Sequence, residues 1–148
     1  MTSEPAEQRP RSSDPLRTVA RWVLATFLIG AGISHFTRAE EFLAQVPPQF
    51  PAPEAIVAIS GVVEIALGTS LLTLRRHRAI VGWATAGFFV VIFPGNIAQF
   101  LTGTPAFGLD SDLARGMRLL FQPALVVWAL WCTGAWRDWR AARRQVAH

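Results

Sequence analysis

Glu64 lies inside Ala55–Leu74, a stretch with no other charged residue. A carboxylate at mid-bilayer depth costs about 2.5–3.5 kcal/mol on insertion scales, so a chain keeps one only where it is paired, protonated or used. Held out of water beside polar partners, such a group can take up and release a proton. Helical spacing sets Val57, Gly61, Glu64, Gly68 and Leu71 on one face. Small residues on that face let a neighbouring helix approach closely. Further along, Arg115, Arg118 and Gln122 share a face by three- and four-residue steps. Asn96 and Gln99 follow Pro94, and Ser34 and His35 end the first apolar run. Most of these polar side chains fall in one half of their stretches, and the other half is almost wholly apolar. The expected site is therefore a cavity open to the outer side of a membrane. Glu64 is its catalytic, proton-handling residue, and His35, Asn96, Gln99, Arg118 and Gln122 line it as ligand-binding groups. In the blander alternative Glu64 bonds Gln122 or pairs with Arg118 as bundle glue. Such interhelical bonds average about 0.6 kcal/mol. Asn96 would then satisfy carbonyls freed by Pro94.

Other chemistries find little support. His35, His77 and His148 are too scattered for a metal motif. Cys132 is the single cysteine, which excludes an internal disulfide or a C-x-x-C pair and reads as a small buried hydrophobe. No tyrosine is present to relay protons or radicals.

The elements that must position these residues are apolar runs of membrane-spanning length. The chain is 51% hydrophobic with a net charge of +4 and a mean hydropathy of +0.32. Apolar residues come in runs rather than in alternation, which places the chain in the membrane class. All fourteen basic residues are Arg. They collect beside the apolar runs, where they orient the chain and meet anionic lipid, so nucleic acid is not the expected partner.

Residues 1–17 read as a disordered cytoplasmic tail rather than a signal peptide, because the apolar run that follows is too long. Residues 18–136 form the membrane domain. Its spans run near Val19–Phe36, Glu54–Leu74, Ala79–Leu101 and Asp112–Trp136. Arg17 and Arg21 flank the first span and are expected to snorkel to the interface. Thr37 and Glu40 have capping-box spacing, which predicts a short interfacial helix with Phe42, Leu43 and Val46 on one face. Pro47, Pro48, Pro51 and Pro53 then force an extended return. Pro94 and Gly95 should kink the third span. Asp110 or Ser111 can cap the fourth. Residues 137–148 read as a frayed, basic cytoplasmic tail.

Arg9, Arg11, Arg17 and Arg21, the Arg75–Arg78 turn, and Arg137, Arg140, Arg143 and Arg144 lie on one side of such spans. The other loops carry only Arg38, and Arg115 with Arg118. By the positive-inside rule both termini face the cytoplasm. The expected fold is an all-α, antiparallel four-helix transmembrane bundle with a short interfacial helix in its first outer loop, sitting in the plasma membrane.

The chain resembles the DoxX family of small four-span membrane proteins. The matching pieces are Gly32-Ile33-Ser34-His35-Phe36 and Phe42 to Pro47, then Ser60-Gly61-Val62-Val63-Glu64 with Gly68. Phe93-Pro94-Gly95-Asn96-Ile97 and Arg118-Leu119-Leu120-Phe121-Gln122-Pro123 complete them. Together they touch all four spans, about residues 18 to 136. Relatives in that family include subunits of thiosulfate:quinone oxidoreductase, maturation factors for methylamine dehydrogenase and associates of redox enzymes. The resemblance implies a redox-linked accessory subunit more than a stand-alone enzyme. With no metal or flavin motif, it would carry no intrinsic cofactor. It would bind a quinone or similar small apolar molecule and take electrons from a redox enzyme partner. The thiol pair of disulfide-handling members is missing. Two other readings stand beside this one: a non-enzymatic scaffold or assembly factor, and a proton-coupled small-solute transporter, for which four spans would need to form a homo-oligomer.

Overall fold

A computed structural model describes residues 14–103, 108 and 111–146. Helices α1 (Pro15–Thr37), α2 (Ala39–Leu43), α3 (Pro53–Thr73), α4 (Arg78–Thr102), α5 (Asp112–Thr133) and α6 (Ala135–Val146) follow in order, with a 3-10 turn at Arg75–His77 before α4. No strand occurs among the described residues. Four helices (α1, α3, α4 and α5) are long and apolar enough to cross a membrane. Of the disordered tail expected over residues 1–17, residues 1–13 lie outside the described residues, as does the Asp110 cap; Asp14 instead caps α1 and Pro15–Arg17 open it.

Local chemistry sets the helix ends. Asp14 caps α1 by accepting from the Leu16 N–H at 3.1 Å, and Pro15 follows at the first helical position, where its missing N–H costs nothing. Ser111 caps α5 by accepting from the Ala114 N–H at 3.2 Å. Gly134, with φ of 75°, ends α5 in the left-handed conformation that glycine adopts without strain. The capping box predicted at Thr37 does not form. Thr37 Oγ1 turns back to the Ile33 carbonyl at 3.5 Å, and α2 starts after Arg38 without a side-chain cap. α4 continues through Pro94 and α5 through Pro123, so neither proline ends its helix.

Packing follows the small residues. A Cβ on Gly32 would meet the Gly61 carbonyl oxygen at 2.6 Å, and one on Gly68 would meet the Ala25 carbonyl oxygen at 2.8 Å. α1 and α3 therefore touch backbone to backbone, and their contacts run in opposite order along the two helices. α4 and α5 make a second intimate pair, in which Gly82 lies directly against Thr133 and Asn96 bonds Gln122. The buried core joins the pairs through Leu24, Leu28, Leu71, Phe89, Leu125 and Ala129. Large apolar residues point outward: Leu113, Val91, Leu101 and Leu120 are each at least 70% exposed. An outer surface this apolar is compatible with contact with a lipid bilayer.

The C-terminal segment differs from the frayed tail expected. It forms α6, because Trp139 packs edge-on against Trp83 of α4 at 6.5 Å and beside Trp136 at 5.1 Å, with the Arg143 guanidinium 4.6 Å over its ring. Aromatic and cation–π contacts hold a basic segment that charge alone would leave unpaired.

Candidate functional site

Near the end of α1 that carries Thr37, two helix pairs bring their polar residues together. Glu64 is 6% exposed and His35 7%, and Glu64 Oε2 lies 3.2 Å from His35 Nδ1. The close α1–α3 approach through Gly32 and Gly61 makes this contact. A Cβ on Gly61 would fall 2.8 Å from the His35 Cβ. His35 Nδ1 also lies 3.0 Å from the Ala31 carbonyl oxygen. A carbonyl oxygen can only accept, so this bond places a proton on Nδ1 and leaves Nε2 as the exchanging position. That nitrogen makes no hydrogen bond among the described residues. Glu64 Oε2 is buried and has an electrostatic contact with His35 but no well-aligned hydrogen bond among the described residues. The His35 ring stacks on Phe42, centroids 3.6 Å apart, which ties α2 to the site.

α4 and α5 contribute two hydrogen-bonded pairs. Asn96 Nδ2 donates to Gln122 Oε1 at 2.9 Å, and Gln122 Nε2 donates to the Phe89 carbonyl at 2.7 Å. Arg118 Nη1 donates to Gln99 Oε1 at 3.0 Å. The partner of Glu64 is thus His35, in place of the Arg118 or Gln122 expected for bundle glue. The physical reason is helix pairing: α3 packs intimately on α1, and the polar groups of α5 are taken up by α4. Arg115, expected on the face of Arg118 and Gln122, is buried and pairs with Asp112 one turn back at 2.6 Å.

Two clefts meet at these residues. One, of about 940 Å³, runs down the molecule from Ser34 past Phe27 and Val23 to Trp22, with Phe121, Gln122 and Leu125 facing them. The other, of about 470 Å³, lies between Phe42, Pro47 and Phe50 on one side and Ile56, Ser60 and Pro94 on the other, and includes His35. Glu64, Asn96 and Arg118 line both. Gln99 lines neither and is 2% exposed, so it acts on the site through Arg118. The first cleft is walled by half-exposed apolar side chains, Val23, Phe27 and Phe121 among them, so it opens sideways along its length. Among the described residues no group of three His, Cys, Asp or Glu is placed to hold a metal. Phe42 is a site residue that spacing in the sequence does not point to. Its place on the apolar face of α2 was legible, but its stacking on His35 depends on how the loop folds back.

No curated protein and no solved structure matches the chain. Residues 24–133, which contain all six of these polar residues, match one family throughout, and the chain belongs to that family, described as a domain of unknown function (DUF8561).

Proposed function

We propose that the protein is a multi-pass membrane subunit that binds a quinone-like molecule. The ligand's tail lies in the apolar cleft and its polar head at Glu64, His35 and Arg118. The meeting of the two clefts at Glu64, Asn96 and Arg118 carries this reading. An apolar groove ending in a few convergent polar groups suits an amphipathic ligand. Reducing a quinone to a quinol adds two electrons and two protons, one to each carbonyl oxygen. The Glu64–His35 pair supplies protons, with Nε2 as the exchanging position, and a redox enzyme partner supplies the electrons. The DoxX-like sequence pieces support the same assignment.

The wider setting belongs to the proposal. An antiparallel four-helix bundle is supported by contacts that run in opposite order between α1 and α3. In that bundle α2 lies at the outer interface, and the Arg75–Arg78 turn and both termini face the cytoplasm, as the Arg distribution supports. The membrane is the plasma membrane, and self-association would use the apolar outer faces.

A second reading, a scaffold or assembly factor with a structural polar set, is favoured by one observation. Asn96 is bonded to Gln122, and Arg118 to Gln99, without any ligand. The two readings part at Glu64. Purified protein titrated with a short-chain ubiquinone analogue should show saturable quenching of tryptophan fluorescence, and Glu64→Ala should abolish it. Saturation unchanged by that substitution removes the quinone proposal and leaves the scaffold.

A further inference from the structure

At the other end of the molecule, where α1 begins, a cavity of about 550 Å³ gathers Arg17, Arg21, Arg75, Arg78 and Arg137. Among the described residues two carboxylates line it, Asp14 and Asp138. Each already has a partner: Asp14 is 3.4 Å from Arg17 and Asp138 is 3.9 Å from Arg137. Arg21, Arg75 and Arg78 make no ion pair among the described residues.

Arg21 is the most demanding of the three. It lies seven residues into α1, about 10 Å along the helix at 1.5 Å per residue, and is 6% exposed rather than snorkelled to the interface as expected. Its Nε is buried with no hydrogen-bond partner among the described residues, and it stands within electrostatic reach of Arg75 and Arg78. Arg17 and Arg137 also converge. A Cβ on Gly134 would lie 3.4 Å from Arg137 Nη2 and 3.7 Å from Arg17 Nη1. Like charges held this close in a partly buried cavity repel unless an anion sits among them. Residues of the first turns of α1, α4 and α6 line the same cavity, so three positive helix-dipole ends outnumber the one negative end that α5 adds through Cys132 and Thr133.

We propose that this cavity is a binding site for a phosphate-bearing anion. Guanidinium groups match phosphate oxygens in a bidentate fork, and a phosphate offers enough oxygens to engage several arginines at once, where a carboxylate offers two. The group reaches the site either as the headgroup of an anionic lipid or as a free phosphate, since basic cavities between membrane helices accept such headgroups. The site shares no lining residue with the Glu64 clefts.

The full chain in neutral detergent would be unfolded thermally while titrated with inorganic phosphate, dioleoyl phosphatidylglycerol or zwitterionic dioleoyl phosphatidylcholine in turn. A saturable rise in Tm with phosphatidylglycerol alone identifies a lipid headgroup. A saturable rise with inorganic phosphate identifies a free anion. In either case Arg21→Gln should weaken the midpoint concentration by about tenfold or more. If Arg21→Gln fails to fold, Arg75→Gln combined with Arg78→Gln, both nearer the surface, should show the same loss. No saturable rise with either anion, an equal rise with phosphatidylcholine, or an effect untouched by the Arg75/Arg78 variant overturns the proposal.

Discussion

A carboxylate among apolar helices is stabilised here by geometry more than by an opposite fixed charge. His35 shares one nitrogen between the Ala31 carbonyl and Glu64, so the pair depends on where α1 stands relative to α3. Removing one partner of a buried pair costs more than the pair contributes, because the survivor is left without compensation. His35→Ala and Glu64→Gln should each destabilise the protein, and a double-mutant cycle should return a coupling of about 0.5–3 kcal/mol. Additive unfolding free energies in detergent would show that the two side chains do not sense each other. Replacing Asn96 by Leu should cost about 1–3 kcal/mol, since the Gln122 amide oxygen loses the donor it holds at 2.9 Å. Denaturant titration checks that value.

Among the elements, α1 shows how finely close packing discriminates between positions. Gly30 and Gly32 are two residues apart in the same helix, yet a Cβ on Gly30 meets nothing within 4 Å and one on Gly32 meets backbone at 2.6 Å. Gly30→Ala should therefore stabilise the protein by roughly 0.4–1 kcal/mol, because alanine loses less conformational freedom in a helix. Gly32→Ala should destabilise it by about 1–3 kcal/mol, since the α1–α3 pair must separate to admit a methyl group. Thermal unfolding of the two variants side by side should show shifts of opposite sign. Helical periodicity made the Gly61–Glu64–Gly68 face legible in advance. The stripe of Arg21, Leu24, Ala25, Leu28, Gly32 and His35 on α1 has the same spacing and includes the arginine expected at the interface. Reading that stripe through the charge of Arg21 would have placed it indoors. The helical state of α6 was less accessible, because it rests on Trp139 meeting Trp83 across the sequence.

For the whole molecule, the placement of arginine predicts an orientation. Gln49 and Arg76 are both exposed, one before α3 and one after it. In intact cells a membrane-impermeant maleimide should label Gln49→Cys, and it should label Arg76→Cys only after the membrane is opened. The reverse pattern would invert the bundle, and with it the side from which the Glu64 site is reached. Native Cys132 is buried and 4% exposed, so its background labelling should be slow.

The four helices of membrane-spanning length, the apolar character of their surfaces and the identities of the polar residues follow from local rules, namely run length, spacing of 3.6 residues and the cost of charge in hydrocarbon. Partner choice does not. Whether Glu64 meets His35 or Arg118, and whether Arg21 reaches water or closes a basic cavity, depends on which helices approach within backbone contact. That choice comes from small residues on two helices matching across space, a relation no single stretch of chain contains.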